Sequence, residues 1–154
     1  MTLTFRKARE TDLPAIVGML ADDDLGRTRE GPLEEGSRYH RAFHALDADP
    51  NQFLCVAETG GEVVGTLQLT FIPGLSRGGA TRGQIEAVRV ARGHRDAGIG
   101  RAMIGWAIAE CRARSCALVQ LTTDRARPDA HRFYEGLGFE ASHLGYKMDL
   151  GDPG

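Results

Sequence analysis

The sequence predicts an α/β fold in which one mixed sheet carries helices on its faces. Three observations predict it. Short apolar runs bounded by turn residues recur along the chain, as strands require. Between them lies helical periodicity, clearest at residues 99–114, where apolar residues recur at three- and four-residue spacing. A glycine-bearing turn, residues 93–100, joins a strand directly to that helix. With 154 residues, 42% hydrophobic and 26% charged, the composition is ordinary for a globular protein, and residues 1–154 are expected to form one domain.

Residues 3–8 alternate and read as the first strand. Thr11 is expected to cap a helix with Asp12 and Pro14 in its first turn, where a missing N–H costs nothing. Leu13, Ile16, Val17 and Leu20 form its apolar face. Residues 21–36 are polar and lack a pattern. A second helix is expected over about residues 33–48, with Tyr39, Phe43 and Leu46 on one side. Residues 53–57 read as a buried strand, Thr59-Gly60-Gly61-Glu62 as a tight hairpin turn, and residues 63–71 as the return strand. After a loop at 73–79, residues 81–90 form a further strand. The glycine turn and its helix follow, then a strand at 117–123. Pro128 opens a helix through Tyr134 and Glu135 that Gly136 and Gly138 end. From Phe139 through Leu150 the chain is expected to return to strand. The order is β-α-α-β-β-β-α-β-α-β.

Composition excludes several classes. The formal charge is -2, so there is no basic excess for a nucleic-acid partner. No apolar stretch approaches the ~20 residues of a membrane span. The charged first dozen residues lack the apolar core of a secretory signal, so a cytoplasmic protein without a membrane partner is expected. Cys55, Cys111 and Cys116 are odd in number and form no C-x-x-C pair, which reads as buried thiols in a reducing compartment. His40 and His44 share a helix face, but no third ligand accompanies them, and no metal is expected.

The most informative stretch is Val88-Arg89-Val90 followed by Arg92-Gly93-His94-Arg95-Asp96-Ala97-Gly98-Ile99-Gly100-Arg101. A strand, a glycine turn and a helix start aim backbone N–H groups and a positive helix end at one spot, which suits a pyrophosphate. Gly98 and Gly100 allow close backbone approach. A nucleotide P-loop is excluded because no Lys follows either glycine, and a dinucleotide fingerprint because Met103 stands where it needs Gly or Ala.

Arg95-x-x-Gly98-x-Gly100 resembles the pyrophosphate loop [QR]-x-x-G-x-[GA] of the GNAT superfamily of N-acetyltransferases. Gln84-Ile85-Glu86-Ala87-Val88-Arg89-Val90 is similar to that family's fourth strand. Ala130-x-x-Phe133-Tyr134-Glu135-x-x-Gly138-Phe139 resembles its later signature. The resemblance implies a GNAT-like acyl-CoA N-acyltransferase fold. Its mixed, mostly antiparallel sheet would be splayed between the fourth and fifth strands and flanked by about four helices. It implies acetyl-CoA as cosubstrate and direct transfer of acetyl to a primary amine.

By the same resemblance, Val88, Arg89 and Val90 supply backbone contacts to the pantetheine arm. Arg95, Asp96, Ala97, Gly98, Ile99, Gly100 and Arg101 cradle the pyrophosphate. Glu86 stands where many relatives hold a catalytic carboxylate, and an amine nucleophile, with a pKa near ~10, needs a base. Tyr134 matches the family tyrosine placed beside the departing sulfur. Many relatives carry Asn seven residues before that Tyr; here the position is Arg127, so the Asn role does not carry over. His131, one turn before Tyr134, is an alternative base or a polar contact.

In this family the acceptor pocket is built largely from the first two helices, their loop, and the region after the third strand. Residues 21–36 hold Asp22, Asp23, Asp24, Glu30, Glu34 and Glu35 against Arg27 and Arg29, a local charge of -4 that would attract a cationic amine. Residues 76–101 carry +4 beside the proposed phosphates. A small-molecule amine is the expected acceptor and a homodimer is open. The competing readings are a protein or peptide amine, an aminoglycoside-type acceptor, or a non-catalytic acyl-CoA sensor.

Overall fold

The structure, a computed structural model, describes residues 2–22, 26–34, 36–124 and 128–151. The chain divides into two compact units, Met1–Leu121 and Thr122–Gly154.

In the first unit, β1 (Thr4–Lys7) leads through a 3₁₀ turn (Glu10–Asp12) into α1 (Leu13–Ala21). Then come the short α2 (Gly26–Arg29) and α3 (Arg38–Ala48). β2 (Gln52–Thr59) and β3 (Glu62–Ile72) form a hairpin. A single helical turn, α4 (Ser76–Gly79), precedes β4 (Arg82–Val90). A second 3₁₀ turn (Arg92–His94), α5 (Ile99–Ala113) and β5 (Leu118–Leu121) complete the unit. The sheet order is β1-β2-β3-β4-β5; the first three pairings are antiparallel and β4 with β5 is parallel. This is the mixed, mostly antiparallel sheet expected.

Local sequence explains most boundaries. Gly60 and Gly61 both take positive φ (58° and 80°), as the two central residues of a type I′ hairpin must. The helix expected from about residue 33 begins at Arg38 instead. Gly36 turns left-handed (φ 70°) and Ser37 is extended, so α3 does not continue back through them. Tyr39 ties the preceding chain down: its hydroxyl donates to Glu30 (2.9 Å) and accepts the Gly31 N–H (2.9 Å). The first helix starts two residues after Thr11, because Asp12 closes the 3₁₀ turn by accepting the Arg9 N–H at 2.7 Å.

The sheet buries both faces, following its two-residue period. On one face, Val56 packs with Ala8, Leu13, Ile16 and Phe43, under α1 and α3. On the other lies α5, whose Trp106 stacks on Phe5 (centroids 5.9 Å) and meets Phe53 edge-on (4.9 Å). Ile99, Met103, Ile104, Ala107 and Cys111 are its buried stripe. Two glycines let α5 sit close to the sheet. A Cβ on Gly65 would lie 2.6 Å from the Met103 sulfur, and one on Gly83 would collide with the Cys111 sulfur.

Arg6 bridges the sheet and the first helix. Its guanidinium donates to both Asp12 carboxylate oxygens (2.7 and 3.1 Å) and to Glu58 (3.0 and 2.8 Å). The hydrogen bonds from Arg6 hold the buried Asp12 carboxyl below the usual aspartate range, against the opposing effect of burial. A depressed carboxyl stabilises the fold fully above its unfolded value and loses that contribution as pH falls through the native one. Asp12→Asn is therefore expected to cost about 1–3 kcal/mol at pH 7. Urea melts at pH 7 and pH 3 should show the deficit shrinking on the acid side.

In the second unit, α6 (Pro128–Gly136) is the one helix among the described residues. The strand expected from Phe139 to Leu150 is not formed. Leu144, Tyr146, Met148 and Leu150 do alternate, but they are exposed, and no described residue of 139–151 joins a ladder. Alternation prepares a chain to line a sheet face; only a hydrogen-bonded neighbour makes it a strand.

Candidate active site

β4 changes partners along its length. From Arg82 to Ile85 it pairs with β3 on one side and β5 on the other. At Glu86 it leaves β5, because β5 ends at Leu121, the partner of Ile85. The β3 register then slips: Gln68 faces Glu86 and Thr66 faces Arg89, so Ala87 and Val88 together oppose Leu67. Ala87 takes φ 54°, an uncommon conformation for a residue with a side chain, and one extra residue here is a β-bulge.

The bulge sets which backbone groups face away from β3. The Ala91 N–H donates to the Val64 carbonyl at 2.8 Å, which by antiparallel alternation directs the Arg89 peptide groups to β3 and those of Val88 and Val90 the other way. Two side chains confirm that direction. Arg89 Nη1 donates to the Val88 carbonyl (2.9 Å) and Arg95 Nε to the Val90 carbonyl (3.2 Å). Glu86 is exposed at the point where the two strands part.

The glycine turn starts α5 without a side-chain cap. Asp96 (φ 66°) and Gly98 (φ 79°) are left-handed, and Gly98 is the N-cap residue. The first turn-closing bond is Ala102 N–H to the Gly98 carbonyl at 3.1 Å. The N–H groups of Ile99, Gly100 and Arg101 therefore precede the helical hydrogen-bond series and lie at the positive end of the helix. Among the described residues, no atom beyond its chain neighbours comes within 4 Å of where a Gly98 Cβ would be. An open cradle of backbone donors fits a pyrophosphate, and the backbone of Val88 and Val90 fits an extended amide arm running to it.

The arginines of this turn are already engaged. Arg92 holds the Asp22 carboxylate with Nε (3.2 Å to Oδ2) and with Nη2. Arg95 Nη2 donates to the Asp22 carbonyl at 3.1 Å and lies 3.6 Å from its carboxylate. The hydrogen bond from Arg92 pulls the Asp22 carboxyl below its ordinary range. Nothing in the sequence signals this cluster, since Asp22 and Arg92 are 70 residues apart. The bulge at Ala87 was equally hidden, because alanine carries no mark of a left-handed position.

In the second unit Tyr134 is half-buried, edge-on to Phe133 (5.1 Å) and Phe139 (5.9 Å). Its carbonyl accepts the Leu137 and Phe139 N–H groups, with Gly138 left-handed between them (φ 100°). His131 Nε2 lies 3.0 Å from the Asp124 carbonyl. Arg127, Asp23, Asp24 and Glu35 lie outside the described residues.

Other candidates are not brought together. His40 meets Ser37 (3.1 Å) and His44 faces Glu10 (3.5 Å). Burial pushes the Cys55 and Cys111 thiols up to about 12, Cys111 also being raised by Cys116, so neither is an activated nucleophile at neutral pH.

Residues 19–139 match the Acetyltransferase (GNAT) family. The chain is 33% identical over 112 residues to the aminoalkylphosphonate N-acetyltransferase of Salmonella typhimurium, across 73% of this chain and 72% of that one. It is 36% identical over 91 residues to the glucosamine 6-phosphate N-acetyltransferase of Trypanosoma brucei brucei, across 58% and 59%. It is 50% identical to a transcriptional regulator from Bacillus halodurans C-125. That protein's crystal structure has a TM-score of 0.91 over 97% of this chain and 100% of the other. With a family match running from α1 to just past α6, and relatives that are N-acetyltransferases, the chain belongs to the acetyltransferase (GNAT) family and is an N-acetyltransferase.

Proposed function

We propose that the protein transfers the acetyl group of acetyl-CoA directly to the primary amine of a small molecule, as one working domain in the cytoplasm. The observation that carries this reading is the parting of β4 from β5 at Glu86, with the uncapped start of α5 at the far end of the exposed segment. Acetyl-CoA, when bound, supplies a thioester already activated toward amines.

The chain's residues do the rest. The α5 N-terminus, from Arg95 through Arg101, receives the pyrophosphate. Val88 and Val90 give their outward peptide groups to the pantetheine arm, while the Arg89 guanidinium braces the Val88 carbonyl. Glu86 takes the ammonium proton of the acceptor, whose neutral form is scarce at pH 7. Tyr134 donates its hydroxyl to the departing sulfur.

A thiolate is already a fair leaving group. Tyr134→Phe is therefore expected to lower kcat by about tenfold, less than the roughly hundredfold or more usual for removal of a general acid. Its effect should be smallest with acyl donors whose thiol is most acidic. A steady-state series of such donors tests the assignment, and a uniform effect across the series would mean that Tyr134 only packs.

The acceptor class rests on the Salmonella typhimurium relative, named for an aminoalkylphosphonate. Thiol release from acetyl-CoA over a panel of aminoalkylphosphonates, amino sugar phosphates, polyamines, aminoglycosides and N-terminal peptides tests it. Turnover with small amines is the expected result. Preference for a peptide or an aminoglycoside would move the acceptor. Tight acetyl-CoA binding with no turnover on any amine would make the protein a sensor. A homodimer, common in such proteins, is to be checked by sedimentation.

A further inference from the structure

Arg95, expected at the cofactor pyrophosphate, and its neighbour Arg92 are held by one aspartate from another element. Asp22 caps the C-terminal end of α1, while Arg92 opens the 3₁₀ turn after β4 and Arg95 caps it. One aspartate gathers both: Arg92 grips its two carboxylate oxygens, and Arg95 lies 3.6 Å from one of them while bonding its carbonyl. A guanidinium recognises carboxylate and phosphate with the same fork geometry, so one can replace the other at the same donors.

The pair is also built to exchange. The Arg92 side chain is 67% exposed and that of Asp22 31%. An exposed ion pair is weak and screened by salt, and an incoming pyrophosphate carries more charge than one carboxylate. The two anions cannot share the site without repulsion. Arg95 is placed differently. Its Nε rests on the Val90 carbonyl, so it stays at the turn when the carboxylate leaves.

We propose that Asp22 is an internal anion that holds Arg92 and Arg95 until a pyrophosphate displaces it, so that this residue sets the affinity for acetyl-CoA. The inference rests on the pyrophosphate reading of the α5 N-terminus given above. Its consequence is that cofactor entry frees a carboxylate at the end of α1, next to the acidic stretch that begins there. Asp22 is thus a positioning residue for the cofactor, acting through two arginines.

The test compares Asp22→Asn with the unaltered protein by calorimetric titration of acetyl-CoA. Asn keeps the side-chain shape and leaves the carbonyl bond to Arg95 in place. At low ionic strength the variant is expected to bind acetyl-CoA about two- to fivefold more tightly. The gain should vanish near about 1 M salt, where the screening length falls to about 3 Å. S-acetyl-pantetheine, which lacks the pyrophosphate, should bind both proteins equally. In an Arg92→Gln background the gain from Asp22→Asn should shrink to the part that acts through Arg95, and in an Arg92→Gln/Arg95→Gln background it should vanish.

Equal or weaker binding of acetyl-CoA by Asp22→Asn overturns the inference, as does a gain that persists for S-acetyl-pantetheine. If the unaltered protein binds acetyl-CoA and Gly98→Val removes that binding, such a result strikes Asp22 alone. If the unaltered protein shows no affinity for acetyl-CoA, the pyrophosphate reading falls and this inference falls with it.

Discussion

Gly98→Val is expected to raise the dissociation constant for acetyl-CoA by at least about tenfold while leaving the fold intact. Two effects act together. Gly98 has φ 79°, and a left-handed residue with a side chain costs roughly 1–2 kcal/mol, more when it is β-branched. That strain either shifts the turn or is stored in it. The added methyl groups would also project into the space where phosphate oxygens must approach the N–H groups of Ile99, Gly100 and Arg101. Tenfold corresponds to about 1.4 kcal/mol. No described atom lies within 4 Å of the added Cβ, so the core is not disturbed. Gly93→Ala is the control. That position also has open space and no positive φ, and its affinity should stay within about twofold. Calorimetric titration beside a thermal melt reads both quantities. An unchanged affinity in Gly98→Val would remove the pyrophosphate from this turn.

Glu86→Gln should lower kcat/KM by about a hundredfold at pH 7 with acetyl-CoA affinity unaltered, a loss at the lower end of the range for a general base. The residue is exposed where β4 leaves β5, and glutamine preserves its size, so neither folding nor the backbone of Val88 and Val90 should change. The pH profile separates a base from a substrate-orienting group. An alkyl ammonium has a pKa near ~10, so raising the pH supplies neutral amine without help from the protein. The deficit of the variant should shrink between about pH 7 and pH 10 if Glu86 removes the proton. A deficit that stays constant over that range would assign Glu86 to acceptor binding instead, and a loss of acetyl-CoA affinity would assign it to the cofactor.

These two residues also show how differently parts of the site can be read from sequence. Gly98 is legible because the requirement is local: a left-handed N-cap before a helix favours glycine, and the residues around it carry the pattern. The Gly60-Gly61 hairpin and the buried stripe of α5 are legible for the same reason, since each depends on residues a few places apart. Glu86 is legible only as a carboxylate on a strand. Its exposure follows from β5 ending at Leu121 and from the register slip at Ala87 and Val88, neither of which neighbouring residues encode. The expected strand after Phe139 failed for a related cause, because the alternation was present and the partner was not.

The sequence by itself determined the order of the main elements as far as α6, the hairpin, the glycine turn and the family motifs, because these are set by propensity and spacing within one segment. The tertiary structure decided where β4 leaves β5, which peptide groups of Val88, Arg89 and Val90 face outward, and that Asp22 holds Arg92 and Arg95 from 70 residues away. Such pairings depend on which segments packing brings together, and a charge on one strand or helix end carries no local mark of the partner it will meet.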